Sequence, residues 1–128
     1  MIFGDSSFFI ALVNRKDRWH RDAVRVSRSI AERFLVTDFV VAESVTPIGS
    51  RVSANAGIAL YRYIFDDCDV AFVDEPLLRS SMVRWLRLGG RLSVADAVSV
   101  EIMARRKILR IASFDSDFDR VDGIERIH

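Results

Sequence analysis

The chain has 128 residues, a net charge of +1 and 50% hydrophobic residues, a size and composition that predict one compact domain and exclude a largely disordered protein. Its single cysteine, Cys68, excludes an internal disulfide and a thiolate zinc site and agrees with a reducing cytosol. Because the chain has neither a basic region ahead of an N-terminal apolar run nor an apolar stretch of membrane-spanning length, we expect a cytoplasmic protein without a membrane segment.

Short apolar runs alternate along the chain with longer stretches of helical period. In the first half we predict a strand over residues 1–3 and a helix over 6–13. A second helix is marked by apolar residues at spacings of four, three and four, namely Trp19, Ala23, Val26 and Ile30. A strand over 34–37 then leads into a helix that Asp38 caps and that Pro47 bends or ends.

The second half of the chain repeats this alternation. Ser53 or Asn55 begins a helix that runs to about residue 65, and a strand follows over 70–73. The later predicted elements are a helix from Asp74 to Gly89-Gly90, a helix over 94–105 capped by Ser93, a strand over 110–113 and an edge strand over 124–127. The sequence therefore predicts an α/β fold, a single-domain three-layer α/β/α arrangement around a parallel sheet of four to five strands.

Four acidic residues stand in apolar surroundings where predicted elements begin or end: Asp5, Glu43, Asp96 and Asp115. Asp5 and Asp115 follow the first and fourth strands, and ligands of open α/β sheets bind at such carboxyl ends. Glu43 and Asp96 lie near helix N-termini that can face the same crevice. Clustered carboxylates repel one another, whereas hard oxygen ligands are what Mg²⁺ or Mn²⁺ requires. The combination therefore predicts a divalent metal site.

Each acid also has an ordinary structural interpretation. Asp96 can complete a capping box with Ser93, and Glu43 can be a surface residue of a one-sided helix. Residues of the Asp115 segment can be turn residues, a group that includes Asp117 and Asp119. It is the combination of four acids, and no one of them alone, that favours the metal site.

Four segments, in this order and spacing, resemble the PIN domain, and in particular the small single-domain toxins of the VapC type: strand-Asp5-Ser6-Ser7, Ala42-Glu43, Ser93-x-x-Asp96-Ala97 and Ser113-Phe114-Asp115. The resemblance covers nearly the whole chain, so residues 1–128 are expected to form a single PIN-like nuclease domain. It implies an endoribonuclease that depends on Mg²⁺ or Mn²⁺ and hydrolyses RNA phosphodiester bonds. It further implies the toxin of a type II toxin–antitoxin pair, with an antitoxin protein as partner and a homodimer as a common state.

The resemblance also implies roles for individual residues. Carried over by position, the metal ligands and catalytic residues are Asp5, Glu43, Asp96 and Asp115. Asp117 ranks below them as an extra metal ligand. The two serines beside the acids are expected to hold carboxylates by hydrogen bonds, namely Ser7 and Ser113.

Two departures from the family pattern leave an alternative open. Gly4 replaces the bulky apolar residue usual before the first acid, and Pro47 interrupts a helix that is more often continuous. A catalytically inactive PIN-fold binding module is therefore the first alternative. A phosphoacceptor receiver-like domain is weaker, because it needs a lysine at the carboxyl end of a late strand. The only lysines are Lys16, in a loop, and Lys107, before the fourth strand.

Two surfaces also have alternative interpretations. Four arginines of the second helix follow at spacings of three, four and three and predict one stripe, which either faces solvent or tracks an RNA backbone: Arg18, Arg21, Arg25 and Arg28. The run 58–65 is richer in large apolar groups than one buried helix face requires. We expect either that this run and Trp19 contact an antitoxin or a second copy of the chain, or that the run belongs to a helix buried on two sides.

Overall fold

A computed structural model describes all residues, 1–128, as five strands, six α-helices and one 3-10 helix. In chain order the elements are β1 (Ile2–Gly4), α1 (Ser6–Val13), α2 (His20–Ser29), β2 (Phe34–Thr37), α3 (Asp38–Arg51), α4 (Ala54–Asp67), β3 (Asp69–Ala71), α5 (Glu75–Arg87), α6 (Val94–Arg106), β4 (Arg110–Ala112), the 3-10 helix (Ser116–Arg120) and β5 (Glu125–Ile127). No helix is both long enough and apolar enough to cross a bilayer.

The five strands form one parallel sheet in the order β3-β2-β1-β4-β5. From β1 the chain moves outward through β2 and β3, and then returns to the other side of β1 with β4. The winding direction therefore changes between β1 and β4, where Phe3 lies opposite Ile111 and Gly4 opposite Ala112. The predicted three-layer α/β/α fold is confirmed, including the fifth strand at the edge.

The central strands are buried on both faces, which explains why their sequences are continuous apolar runs. The core is one cluster to which every helix contributes. Its largest fully buried side chains include four phenylalanines, Phe3, Phe8, Phe9 and Phe118. On one side α1 packs with α2 and α3, and α3 with α4, while α5 and α6 pack with each other. The helices therefore form two packed groups around the sheet.

Most predicted boundaries lie within two residues of those observed, and three details differ. Ser53, rather than Asn55, caps α4 by accepting a hydrogen bond from the Ala56 amide. Asp38 is not the cap of α3. Thr37 holds that position, and the Asp38 carboxylate instead accepts a hydrogen bond from the Val73 amide at 2.9 Å, across the loop after β3. The short 3-10 helix over Ser116–Arg120 was not predicted.

Pro47 does not end α3, which continues to Arg51. The proline lacks an amide hydrogen, so the Glu43 carbonyl loses its helical donor. The helix persists because Val40, Ser44 and Ile48 are buried on its inner face. The expectation that Pro47 interrupts the helix is therefore wrong, and the acid one turn before it keeps a helical backbone.

Helix α4 is buried on one face only. Leu60 and Ile64 point into the core, whereas four large side chains of the same helix are exposed: Ile58, Tyr61, Tyr63 and Phe65. The Tyr61 and Phe65 rings lie 4.7 Å apart, and Phe72, which is 67% exposed, follows 6.3 Å from Phe65. The interpretation of α4 as buried on two sides is therefore wrong. We call Tyr61, Phe65 and Phe72 the α4 aromatic patch; Trp19 lies elsewhere, against Phe114.

Three of the four arginines of the predicted stripe are exposed on α2, namely Arg21, Arg25 and Arg28. Arg18 lies in the turn before α2, with its guanidinium over the Trp19 ring. Arg25 is engaged by the Asp22 carboxylate at 3.3 Å and by the His128 carbonyl at 3.2 Å. Arg18 therefore lies apart from the other three arginines, and the choice between a solvent-facing stripe and one that tracks an RNA backbone stays a prediction.

Gly4 is explained by the packing of Phe9. A Cβ atom at residue 4 would lie 2.6 Å from Phe9 Cε2 and 3.2 Å from Phe34 Cδ1. Both rings are buried and pack against Phe8, so neither can move aside freely. The Phe9 ring occupies the space that a side chain at residue 4 would need.

We predict that Gly4→Ala lowers the free energy of unfolding by about 1–3 kcal/mol, because it overpacks the core. Phe9→Leu in the same protein should recover part of that loss, since the two changes share one space and are not additive. Urea unfolding of the four proteins of the cycle measures the coupling. Additive losses would contradict this account of Gly4.

Candidate metal centre at the carboxyl end of the sheet

Asp5 is the buried acid of the site. It follows β1 directly, its amide donates to the Ala112 carbonyl of β4 at 3.1 Å, and its carboxylate caps α1. The side chain is only 4% exposed. Its Oδ2 atom accepts hydrogen bonds from Ser7 Oγ at 2.6 Å and from Ser113 Oγ at 2.8 Å. Two hydroxyls from distant parts of the chain thus hold one carboxylate oxygen.

The same serines also organise the loop after β4. Ser7 Oγ accepts the Phe114 amide, and Ser113 Oγ accepts the Asp115 amide, each at 3.0 Å. The two hydroxyl oxygens are 3.2 Å apart. Because each serine bridges Asp5 and the loop, the positions of Asp5 and Asp115 are coupled through hydrogen bonds.

The other predicted ligands surround this junction. Asp115 is half-buried and caps the 3-10 helix by accepting the Asp117 amide at 2.9 Å, which places Asp117 in the first turn of that helix. Asp96 is half-buried in the first turn of α6, where its amide donates to Ser93 Oγ at 3.0 Å. Glu43 is exposed on α3.

The carboxylates influence one another electrostatically. Burial raises the pKa of Asp5, although hydrogen bonds from Ser7 and Ser113 partly oppose the rise. Partial desolvation raises the pKa of Glu43, and the negative charge of Asp5 adds to it. Burial, followed by the charges of Asp5, Asp115 and Glu43, raises the pKa of Asp96 to about 7, against a small lowering by Ser93. The charges of the other three acids therefore all act on Asp96.

No protein cation forms an ion pair with any of these four acids. The cation that sequence reasoning missed is Arg126, whose charge interacts with that of Asp115. Its guanidinium makes two hydrogen bonds to Asp119, at 2.8 and 2.9 Å, and one to the Ser113 carbonyl at 3.2 Å. The hydrogen-bonding groups of Arg126 are therefore occupied by the segment after β4, and the side chain does not pair with the four acids.

The donor set of the site has the chemistry that a divalent cation needs. Carboxylate oxygens without a cationic partner are the hard ligands that Mg²⁺ and Mn²⁺ prefer. As placed, no three acidic, histidine or cysteine side chains are close enough to coordinate one ion. The residues therefore fit such a cation by chemistry and charge, and binding one requires their side chains to approach each other.

The fold and the site together define a three-layer α/β/α domain with carboxylates at the switch point of a parallel sheet. Comparison with known families agrees, because the PIN domain model matches residues 2–124. The chain belongs to the PIN domain family. No curated protein sequence is significantly similar to it.

Solved structures of this fold include toxins. Mycobacterium tuberculosis VapC20, described as a sarcin-ricin loop cleaving toxin, has a TM-score of 0.86 and 27% identity, and the match covers 93% of each chain. A toxin–antitoxin complex from Klebsiella pneumoniae has a TM-score of 0.75 and 13% identity, covering 100% of this chain and 98% of that one. FitAcB from Neisseria gonorrhoeae has a TM-score of 0.70 and 14% identity, covering 100% and 97%. The last two share the fold.

We predict that the metal-free protein loses stability as Asp96 ionises. Its pKa in the folded protein, about 7, lies above the ordinary 3.8, so the folded protein holds that proton more tightly than the unfolded chain. The bound proton therefore contributes to the free energy of unfolding below about pH 4, and this contribution is lost as the pH rises to about 7. Asp96→Asn should therefore be more stable than wild type above pH 7, by on the order of 2–4 kcal/mol, with no difference near pH 4.

Thermal unfolding in EDTA between pH 4 and pH 8 measures this difference. The matched control is Asp66→Asn, the same chemical change on the exposed surface of α4. An Asp96→Asn protein that is no more stable than wild type at pH 8 would contradict the electrostatic coupling of the four acids.

Proposed function

We propose that the protein is a metal-dependent endoribonuclease and the toxin of a type II toxin–antitoxin pair. The observation that carries the proposal is the group of four coupled carboxylates without a cationic partner, at the switch point of a PIN fold. The likeness to VapC20, a sarcin-ricin loop cleaving toxin at 27% identity, supports a cleavage activity. The family membership leaves no ground for the receiver-like alternative.

In this proposal Asp5, Glu43, Asp96 and Asp115 hold Mg²⁺ or Mn²⁺, and Asp117 is an extra ligand. A bound ion of this kind polarises the scissile phosphate and lowers the pKa of an attacking water. The Asp5 carboxylate is held in a fixed orientation, because the Ser7 and Ser113 hydroxyls both donate to its Oδ2 atom. Asp96 must be ionised to bind the cation, so metal binding releases a proton when the pH is below about 7.

The inactive alternative relied on Gly4 and Pro47. Gly4 is matched by the buried Phe9 ring, and α3 continues through Pro47, so neither residue breaks the element that carries the neighbouring acid. Both departures are therefore compatible with an active nuclease.

An antitoxin partner is the second part of the proposal. One similar structure is described as a toxin–antitoxin complex from Klebsiella pneumoniae, and another as DNA-bound VapBC from Salmonella typhimurium. This chain exposes the α4 aromatic patch, an apolar surface of the sort that protein partners cover. A second copy of the chain is the alternative occupant, which would give the expected homodimer.

We predict that Asp5→Asn and Asp96→Asn each reduce RNA cleavage by at least about 100-fold while the protein stays folded, because each removes a charged ligand where transition-state charge develops. Wild-type cleavage should require Mg²⁺ or Mn²⁺ and stop in EDTA. The measurement is hydrolysis of end-labelled single-stranded RNA, with Asp66→Asn as the surface control. Cleavage by Asp5→Asn at the wild-type rate would refute the metal-site assignment.

A metal-binding measurement separates a lost ligand from a lost fold. Mn²⁺ should raise the Tm of wild type, because a ligand of the folded state shifts unfolding by mass action, and should raise that of Asp96→Asn less. Equal increases in the two proteins would mean that Asp96 does not share the ion. A wild type that binds Mn²⁺ but cleaves no RNA would favour the inactive binding module.

We further predict that Tyr61→Glu weakens antitoxin binding at least about 10-fold, because it places a charge within an apolar contact surface. Arg62→Glu, the neighbouring exposed position of α4, is the matched control. Titration of each purified variant with the antitoxin, followed by inhibition of RNA cleavage, measures the effect. Equal inhibition of Tyr61→Glu and wild type would place the antitoxin on another face, and sedimentation of the toxin alone tests the homodimer.

A further inference from the structure

A cleft of about 420 Å³ opens directly beside the acidic site. Ser7 and Asp115 form its inner side, and Trp19 and Phe114 contribute aromatic surface. Arg51, at the end of α3, lies on its lining as well. The cleft is therefore continuous with the residues proposed to hold the metal ion, and its chemistry differs from theirs.

The aromatic part of the cleft is rigidly anchored. The rings of Trp19 and Phe114 are parallel within 4°, with centroids 5.3 Å apart. The Trp19 amide donates to the Asp17 carboxylate at 2.8 Å, and the Phe114 amide donates to Ser7 Oγ. Since Phe114 stands between Ser113 and Asp115 in sequence, the hydrogen bonds that position the acids also position this aromatic wall.

Two arginines, Arg18 and Arg51, lie near the aromatic surface that Trp19 and Phe114 form. The Arg18 guanidinium lies over the Trp19 ring, 4.5 Å from its centroid, and Arg51 lines the cleft. Neither side chain makes a hydrogen bond or an ion pair, and both are exposed. The guanidinium of Arg18 would therefore lose only its contact with the Trp19 ring on moving away, and Arg51 can bind phosphate without breaking a hydrogen bond or an ion pair.

A flat aromatic group attached to a phosphate matches these features. Unpaired RNA bases stack on aromatic side chains, and arginine guanidiniums pair with phosphate or with base edges. We propose that the cleft binds one unpaired nucleobase of the RNA, next to the scissile phosphate, with Trp19 and Phe114 as the stacking surface and Arg51 as a cationic contact. This inference rests on the proposed nuclease function and names how its substrate is held.

A purely structural role is the competing explanation. The Trp19–Phe114 contact also attaches the turn before α2 to the loop after β4, so replacing Trp19 can lower activity by displacing that loop. The two explanations differ in one respect: only a bound base makes the effect of Trp19 depend on whether that base is present in the RNA.

The experiment pairs a protein variant with an altered substrate. After the cleaved bond of a single-stranded oligoribonucleotide is mapped, the bases on either side are replaced one at a time by an abasic residue. For one position, kcat/KM of wild type should fall about 5- to 100-fold, the range for loss of one base stack. Trp19→Leu should fall by a similar factor on intact RNA and show no further loss on that abasic RNA. Trp19→Phe, which retains a stacking ring, should keep most of the discrimination.

The outcomes are separable. If Trp19→Leu loses the same factor on intact and abasic RNA, or if wild type cleaves all abasic RNAs as well as intact RNA, the cleft does not bind a base, although the nuclease function stands. If wild type cleaves no RNA with Mg²⁺ or Mn²⁺, both proposals fail.

Arg51→Gln should raise KM for intact RNA. Arg62→Gln, exposed on α4 and away from the cleft, should not. Equal KM values for the two variants would show that Arg51 does not contact the RNA.

Discussion

Burial of the Asp5 carboxylate is the constraint around which the functional end of the sheet is arranged. A charge that is 4% exposed needs hydrogen bonds to remain in the core, and the Ser7 and Ser113 hydroxyls supply them at one oxygen. Because these serines belong to segments that flank β1 and β4, the same bonds join the two central strands at their carboxyl ends. The same two hydroxyls also accept the Phe114 and Asp115 amides, and so they position the loop after β4.

The site retains charge that the rest of the protein does not neutralise. The pKa of Asp96 rises to about 7 because burial is combined with the charges of Asp5, Asp115 and Glu43. Arg126 is near enough to influence Asp115, yet its guanidinium is engaged by Asp119 and by the Ser113 carbonyl. We expect such an arrangement to lower the stability of the metal-free fold, as is common for residues kept for function rather than for packing.

Two residues that differ from the usual family pattern show how packing accommodates sequence change. Gly4 leaves room for the Phe9 ring, so the apolar volume before the first acid is supplied from α1 instead of from β1. Pro47 removes one hydrogen bond from α3, and the buried inner face of that helix compensates by holding it in place. Asp5 still follows β1 directly, and Glu43 still lies on a continuous α3.

The local features of the fold could be predicted from the sequence. Apolar periodicity predicted each strand and helix, and the polar caps Ser53, Asp74 and Ser93 marked helix starts, because these signals depend on residues within one or two turns of each other. The acids at the carboxyl ends of β1 and β4 could likewise be identified as candidates, and the sheet order then showed those strands to be neighbours.

Only the tertiary structure decided which distant groups meet. The partner of Asp38 is the Val73 amide, Arg126 turns to Asp119, and Trp19 stacks on Phe114 across most of the chain length. The 3-10 helix after Asp115 also escaped prediction, because its five residues are too few for a periodic signal. Periodicity determines which face of an element is buried. It does not determine which element lies opposite, since that depends on sheet order and on how all the helices share one core.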